Sequence, residues 1–117
     1  MDLNTILALR EAGVDTEGAL RRFSGNSEMY ERFLKKFLSD PTFKQITETV
    51  MAKDPEGALA AAHTLKGVTA NLGINKLFSI SSEMVDQIRA DDFDGAAGNY
   101  PRLKEAYEEI CDILERG

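Results

Sequence analysis

Apolar residues recur at spacings of three and four along nearly the whole chain, and no window sustains the strict alternation that a half-buried strand requires. An all-α fold follows, and Gly, Asn and Asp-Pro punctuation divides it into helices. Leu3, Ile6 and Leu7 predict a short helix that stops at Gly13, and Ala19, Leu20 and Phe23 predict another over residues 15–23. Ser24-Gly25-Asn26 interrupts the chain. Asn26 or Ser27 can cap the next helix, whose core stripe is Tyr30, Phe33, Leu34 and Phe37. Asp40-Pro41 predicts a capping carboxylate before a proline at the first helical position, followed by Phe43, Ile46, Thr47 and Val50 on a shifted phase. The pattern leaves open whether residues 27–53 are one kinked helix or two.

Asp54-Pro55 repeats the cap-then-proline signal and opens a helix that should run to Leu72, with Gly73 as the left-handed residue that ends it. Leu77, Ile80, Ser81, Met84 and Ile88 line one face of the following helix. The last begins near Asp91 or Asp92 and carries Leu103, Ala106, Tyr107, Ile110, Cys111 and Leu114. Pro101 removes a backbone hydrogen bond within it, so a kink, or a start of the regular helix near Pro101, is expected. Connections of a few residues favour antiparallel neighbours. The predicted architecture is an up-and-down antiparallel four-helix bundle with a short N-terminal helical cap, residues 1–25 forming the cap and 26–115 the bundle of a single domain spanning 1–117.

Composition narrows the functional classes. A chain of 117 residues suits one domain. Fourteen Lys and Arg against 20 Asp and Glu give a charge of -6, which argues against nucleic acid as a partner, and the longest basic runs are only Arg21-Arg22 and Lys35-Lys36. One Cys forbids an internal disulfide, and one Cys with one His makes a zinc site implausible, so no metal ligand set is expected and a reducing cytoplasm is the expected compartment. Residues 1–13 hold no apolar core flanked by basic residues, and no segment approaches the roughly 20 apolar residues of a membrane span. A soluble protein without a membrane partner is expected, with Cys111 a buried, inert thiol.

The single histidine is the candidate for chemistry. On a wheel of about 100° per residue, Ala58, Ala61, Leu65, Val68 and Leu72 form the core stripe. His63 then points the opposite way, among Leu59, Ala60, Lys66, Gly67 and Ala70, with Asn71 toward the edge. Glycine inside a helix costs up to about 1 kcal/mol relative to alanine, so Gly67, one turn after His63, reads as open space beside the ring. Lys66 is within reach of a dianionic group attached to that ring, a charge-assisted contact. A free imidazole titrates near pH 6.5, so a neutral, nucleophilic fraction exists at pH 7.

The string His63-Thr64-Leu65-Lys66-Gly67, followed by Asn71-Leu72-Gly73, closely resembles the signature of histidine-containing phosphotransfer (HPt) domains, with Leu65, Lys66, Gly67 and Gly73 matching it. The resemblance extends from about Gly13 to Leu114 and includes the Gly-Val-Asp-x-x-x-Ala-Leu-x-Arg-Phe-x-Gly stretch from Gly13 to Gly25. Val68 departs from the small residue usual there. The resemblance implies a phosphorelay intermediate: His63 accepts a phosphoryl group from the aspartyl phosphate of a response-regulator receiver domain and passes it to another. Lys66 supports the phosphate and Gly67 gives the receiver clearance. It implies no kinase or nucleotide-hydrolysing activity, no cofactor on this chain, and Mg²⁺ on the partner receiver. Receiver domains are the expected partners, a hybrid sensor kinase is a further candidate, and a monomer is expected. Docking is expected on the outer face of the His63 helix and exposed residues of the Ser27 to Ser39 helix. The competing reading is a helical docking or adaptor protein that carries no phosphate.

Overall fold

Most helices start where the sequence supplies a capping side chain. The computed structural model describes all 117 residues and contains seven helices: α1 (Leu3–Glu11), α2 (Thr16–Arg22), α3 (Ser27–Phe37), α4 (Thr42–Met51), α5 (Pro55–Leu72), α6 (Asn75–Arg89) and α7 (Phe93–Arg116). The side chains of Asp2, Asp15, Asn26, Asp54 and Asp92 each accept a backbone N–H of the first turn that follows. At α4 the device is displaced by one residue. Asp40 accepts the Thr42 N–H at 2.8 Å, so Pro41 stands just before the helix rather than at its first position.

Residues 27–53 are two helices, broken between Phe37 and Thr42. Together they act as one strut. Tyr30 near the start of α3 donates its hydroxyl hydrogen to the Leu72 carbonyl at the end of α5, while α4 packs along α5. The other side of the strut meets α7. Phe43 stacks on Tyr107 at 4.0 Å and on Tyr100 at 5.8 Å, Thr47 and Tyr100 share a 2.7 Å hydrogen bond, and Lys35 donates to the Leu114 carbonyl. Helix α6 packs between α5 and α7, with Asn99 donating to Gln87 and Arg102 reaching Glu83. The strut, α5, α6 and α7 thus alternate in direction and close a four-helix bundle in which α7 lies diagonally across the core from α5.

The cap is joined to the bundle by backbone. Asp15 N–H donates to the Gly73 carbonyl at 2.8 Å, and Val14 bridges to Ile74, tying the α1–α2 turn to the α5–α6 turn. Gly73 sits at φ 76°, and a Cβ there would lie 2.6 Å from the Asp15 carbonyl oxygen. Both the left-handed backbone and this approach require glycine. Arg22 completes the junction, donating to the carbonyls of Ala70 (2.8 Å) and Asn71 (3.2 Å) at the negative end of the α5 dipole.

One core of buried apolar residues runs through cap and bundle. Several positions differ from the sequence pattern. In α1 the buried line is Thr5 and Leu9, while Leu3 and Leu7 are 68% and 45% exposed. Small residues at Thr5, Ala8 and Ala12 let α1 lie close against α7. In α3 the buried line is Tyr30, Leu34 and Phe37; Phe33 lies about 100° around the helix from Leu34, is 39% exposed and packs on Phe23 at 5.4 Å. Pro101 neither starts nor divides α7, which runs through it without interruption. Cys111 is half-buried beside Tyr107 rather than buried outright.

Candidate functional site

Helix α5 is built to hold one face steady. Asp54 accepts the Gly57 N–H and Pro55 presets the first turn, while Arg22, Tyr30 and Gly73 fix the other end. Ala58, Ala61, Ala62, Leu65, Thr69 and Leu72 are buried. Four of the five residues of the expected stripe are among them. Val68 is only half-buried at the edge, so its departure from the small residue usual there is absorbed at the rim of the core. Thr69 takes its place inside: its hydroxyl donates back to the Leu65 carbonyl at 2.8 Å, which satisfies the polar group and allows full burial.

The opposite face is open. His63, Gly67 and Ala70 are exposed along it, with Ala60 one turn before the histidine, and Lys66 is half-exposed on its flank. A Cβ added at Gly67 would meet no atom within 4 Å. Gly67 therefore serves no close packing inside the chain. Lys66 belongs to none of the ion pairs of the molecule. Residues i, i+3 and i+4 of a helix are surface neighbours, so imidazole, ammonium and the bare glycine backbone form one contiguous patch.

What surrounds the patch bears on its chemistry. The carboxylates nearest His63 in the chain are Asp54, occupied with the Gly57 N–H, and Glu56 in the first turn of α5. No three His, Cys, Asp or Glu side chains are arranged so that they could hold a metal ion. Cys111 offers no second nucleophile, because burial pushes its thiol up from the ordinary range and disfavours the thiolate. An exposed imidazole next to an uncommitted cation, on a surface of small residues, can take up an anionic electrophile presented by another molecule.

Sequence reasoning brought His63, Lys66 and Gly67 to one face, and the structure places them together. It missed Arg22 as a support of that face. The signal was the Arg-Phe pair preceding Ser24-Gly25, where α2 ends against α5.

The family model for the Hpt domain matches residues 28–113, from α3 to near the end of α7. Among curated proteins, the phosphorelay intermediate protein rdeA of Dictyostelium discoideum is 26% identical over 92 residues, covering 77% of this chain and 36% of that relative. The chain thus spans little more than a third of the relative's length. No solved structure matches. With a matched segment that includes the whole of α5 and most of the bundle, the chain belongs to the Hpt domain family.

Proposed function

We propose that this chain is a phosphorelay intermediate that carries a phosphoryl group on His63, receiving it from an aspartyl phosphate of a receiver domain and delivering it to another receiver. The observation that carries this reading is the position of the chain's only histidine, exposed on the outer face of α5 and followed one turn later by a glycine with open space above it. The relative named as a phosphorelay intermediate supports it.

In the transfer the unprotonated ring nitrogen attacks phosphorus. An N–P bond forms, the acyl O–P bond breaks, and its electron pair leaves with the aspartate carboxylate. The other ring nitrogen keeps its proton, so no base has to act first. Charge spreads over the phosphoryl oxygens as the bonds exchange, and Lys66 is the group of this chain placed to neutralise it. Gly67 lets the receiver surface come close to the ring. The divalent cation and the carboxylates that hold it belong to the receiver. The chain works in the cytoplasm as a monomer, with no kinase or nucleotide-hydrolysing activity of its own. A hybrid sensor kinase is a candidate donor.

The test is incubation with a phosphorylated receiver, followed by phosphorus NMR of the chain. The wild type acquires a phosphate that is labile to acid and stable to alkali, His63→Gln acquires none, and Lys66→Ala acquires it more slowly with an unchanged melting temperature. Equal labelling of the Gln variant, or an unlabelled wild type across several receivers, refutes the relay.

A further inference from the structure

The charge of -6 is not spread evenly. Residues 16–72, which contain α2 to α5, carry eight Lys and Arg against seven Asp and Glu. The rest of the chain, with α1, α6 and α7, carries six against thirteen. Helices α2, α3 and α4 pack on α5 and α1 packs on α7, while α6, with two bases and two acids, packs on both, so the acidic excess lies on α7 and in the residues that flank α1 and α7.

The line of α7 directly opposite its buried stripe of Leu103, Ala106, Ile110 and Leu114 is Pro101, Glu105, Glu108, Asp112 and Glu115, four acids and no base, all exposed. The corresponding line of α5 holds His63 and Gly67. Because α5 and α7 are diagonal in the bundle, these two lines face opposite ways. Lys66 is the charged group beside His63, three residues on along the helix. Tyr30 meets Leu72 in an antiparallel register, so Lys36 stands about level with Lys66, its ammonium 5.3 Å from the centre of the half-exposed Phe33 ring.

We propose that this polarity orients the encounter with the phosphodonor. The inference rests on the relay reading above: the donor surface presents a phosphoryl group and the carboxylates that hold a divalent cation, and is therefore acidic. Such a surface is repelled by the α7 face and admitted on the α2–α5 side, where His63 lies. The bundle measures 25 and 21 Å across its short axes. The screening length is about 30 Å at 0.01 M salt and about 10 Å at 0.1 M. The α7 acids are thus felt across the whole molecule at low salt and hardly at all at high salt.

Two variants of equal net charge test this. Glu108→Lys with Asp112→Lys weakens the polarity, and Glu28→Lys with Glu48→Lys strengthens it; each pair adds four units to the parent charge of -6. All four positions are exposed. Transfer from a receiver phosphorylated with a small acyl phosphate is timed for both, with melting temperatures checked. At ~10 mM salt the strengthened variant transfers about tenfold faster than the weakened one, and by ~0.5 M the two agree within about twofold. Equal rates at low salt, or a faster α7 variant, overturn the orientation while leaving the relay standing, provided the wild type is labelled on His63. A wild type that takes no label overturns the relay and this inference together.

Discussion

Replacing Gly67 by alanine should move stability and function in opposite directions. The new methyl group meets no atom of the chain within 4 Å, so it introduces no clash, and the position is well inside an 18-residue helix. Alanine is favoured over glycine in a helix interior by about 0.8–1.0 kcal/mol. For a domain of this size that is a rise in melting temperature of about 4 °C. Gly98 in α7 is the matched control, since a Cβ there also meets nothing within 4 Å and the residue lies on the diagonal helix. Gly98→Ala should stabilise by a similar amount.

The two variants part company in transfer. The Gly67 methyl stands one turn from His63 on the same line, where the receiver must approach the ring. A displacement of about 1 Å in a reacting geometry can cost 100-fold, so transfer to Gly67→Ala should fall at least about tenfold, while Gly98→Ala keeps the parental rate. Thermal denaturation by circular dichroism and stopped transfer assays read the two quantities. If Gly67→Ala is stabilised and transfers normally, the clearance role is wrong. If it is destabilised, the glycine serves the fold, and the open space above it has been misread.

Tyr30→Phe loses the hydroxyl bond to Leu72 and should cost about 1 kcal/mol in urea denaturation at pH 7. Burial pushes the Tyr30 hydroxyl up to about 12 from an ordinary value of 10.0. Its folded pKa is therefore raised, so the stability it contributes is full below pH 10 and is lost as pH rises from about 10 to 12; urea titrations across that window should show a shallower decline for the Phe variant. Lys53 ends α4 at φ 53°, a left-handed conformation that glycine adopts without cost. Lys53→Gly should thus stabilise by up to about 1 kcal/mol, and a loss on the same denaturation curve would refute the strain.

Helix ends were legible because their signals are local. Asp54-Pro55 and Gly73 delimit α5 through a side-chain cap, a preset φ and a left-handed residue, none of which depends on distant parts of the chain. Which side of a helix is buried was legible where neighbours flank it on both sides. On α5, packed by α4 and α6, His63 and Gly67 came out exposed as the wheel required. It failed where packing is one-sided. Leu3 and Leu7 look like a core stripe, but α1 presents its smaller residues to α7 to gain a close approach. Phe33 has the spacing of a buried residue, yet α3 has no neighbour on that flank except the end of α2. Thr69 was passed over because its hydroxyl is polar by composition, and only the bond to Leu65 reveals that it can be buried. Pro101 removes one hydrogen bond, from which a kink or a start of the regular helix is expected, and α7 does not start there but runs from Phe93 to Arg116 with Pro101 inside it.

The aromatic contacts of the strut also decide what light can report. The chain has no tryptophan, and its three tyrosines are Tyr30, Tyr100 and Tyr107. Tyr30 sits where α3 meets the end of α5, and the other two lie where α4 meets α7. The native ultraviolet signal therefore follows the seating of the strut and is silent at the outer face of α5. A tryptophan carried in by a docking partner would be read against a chain that has none of its own.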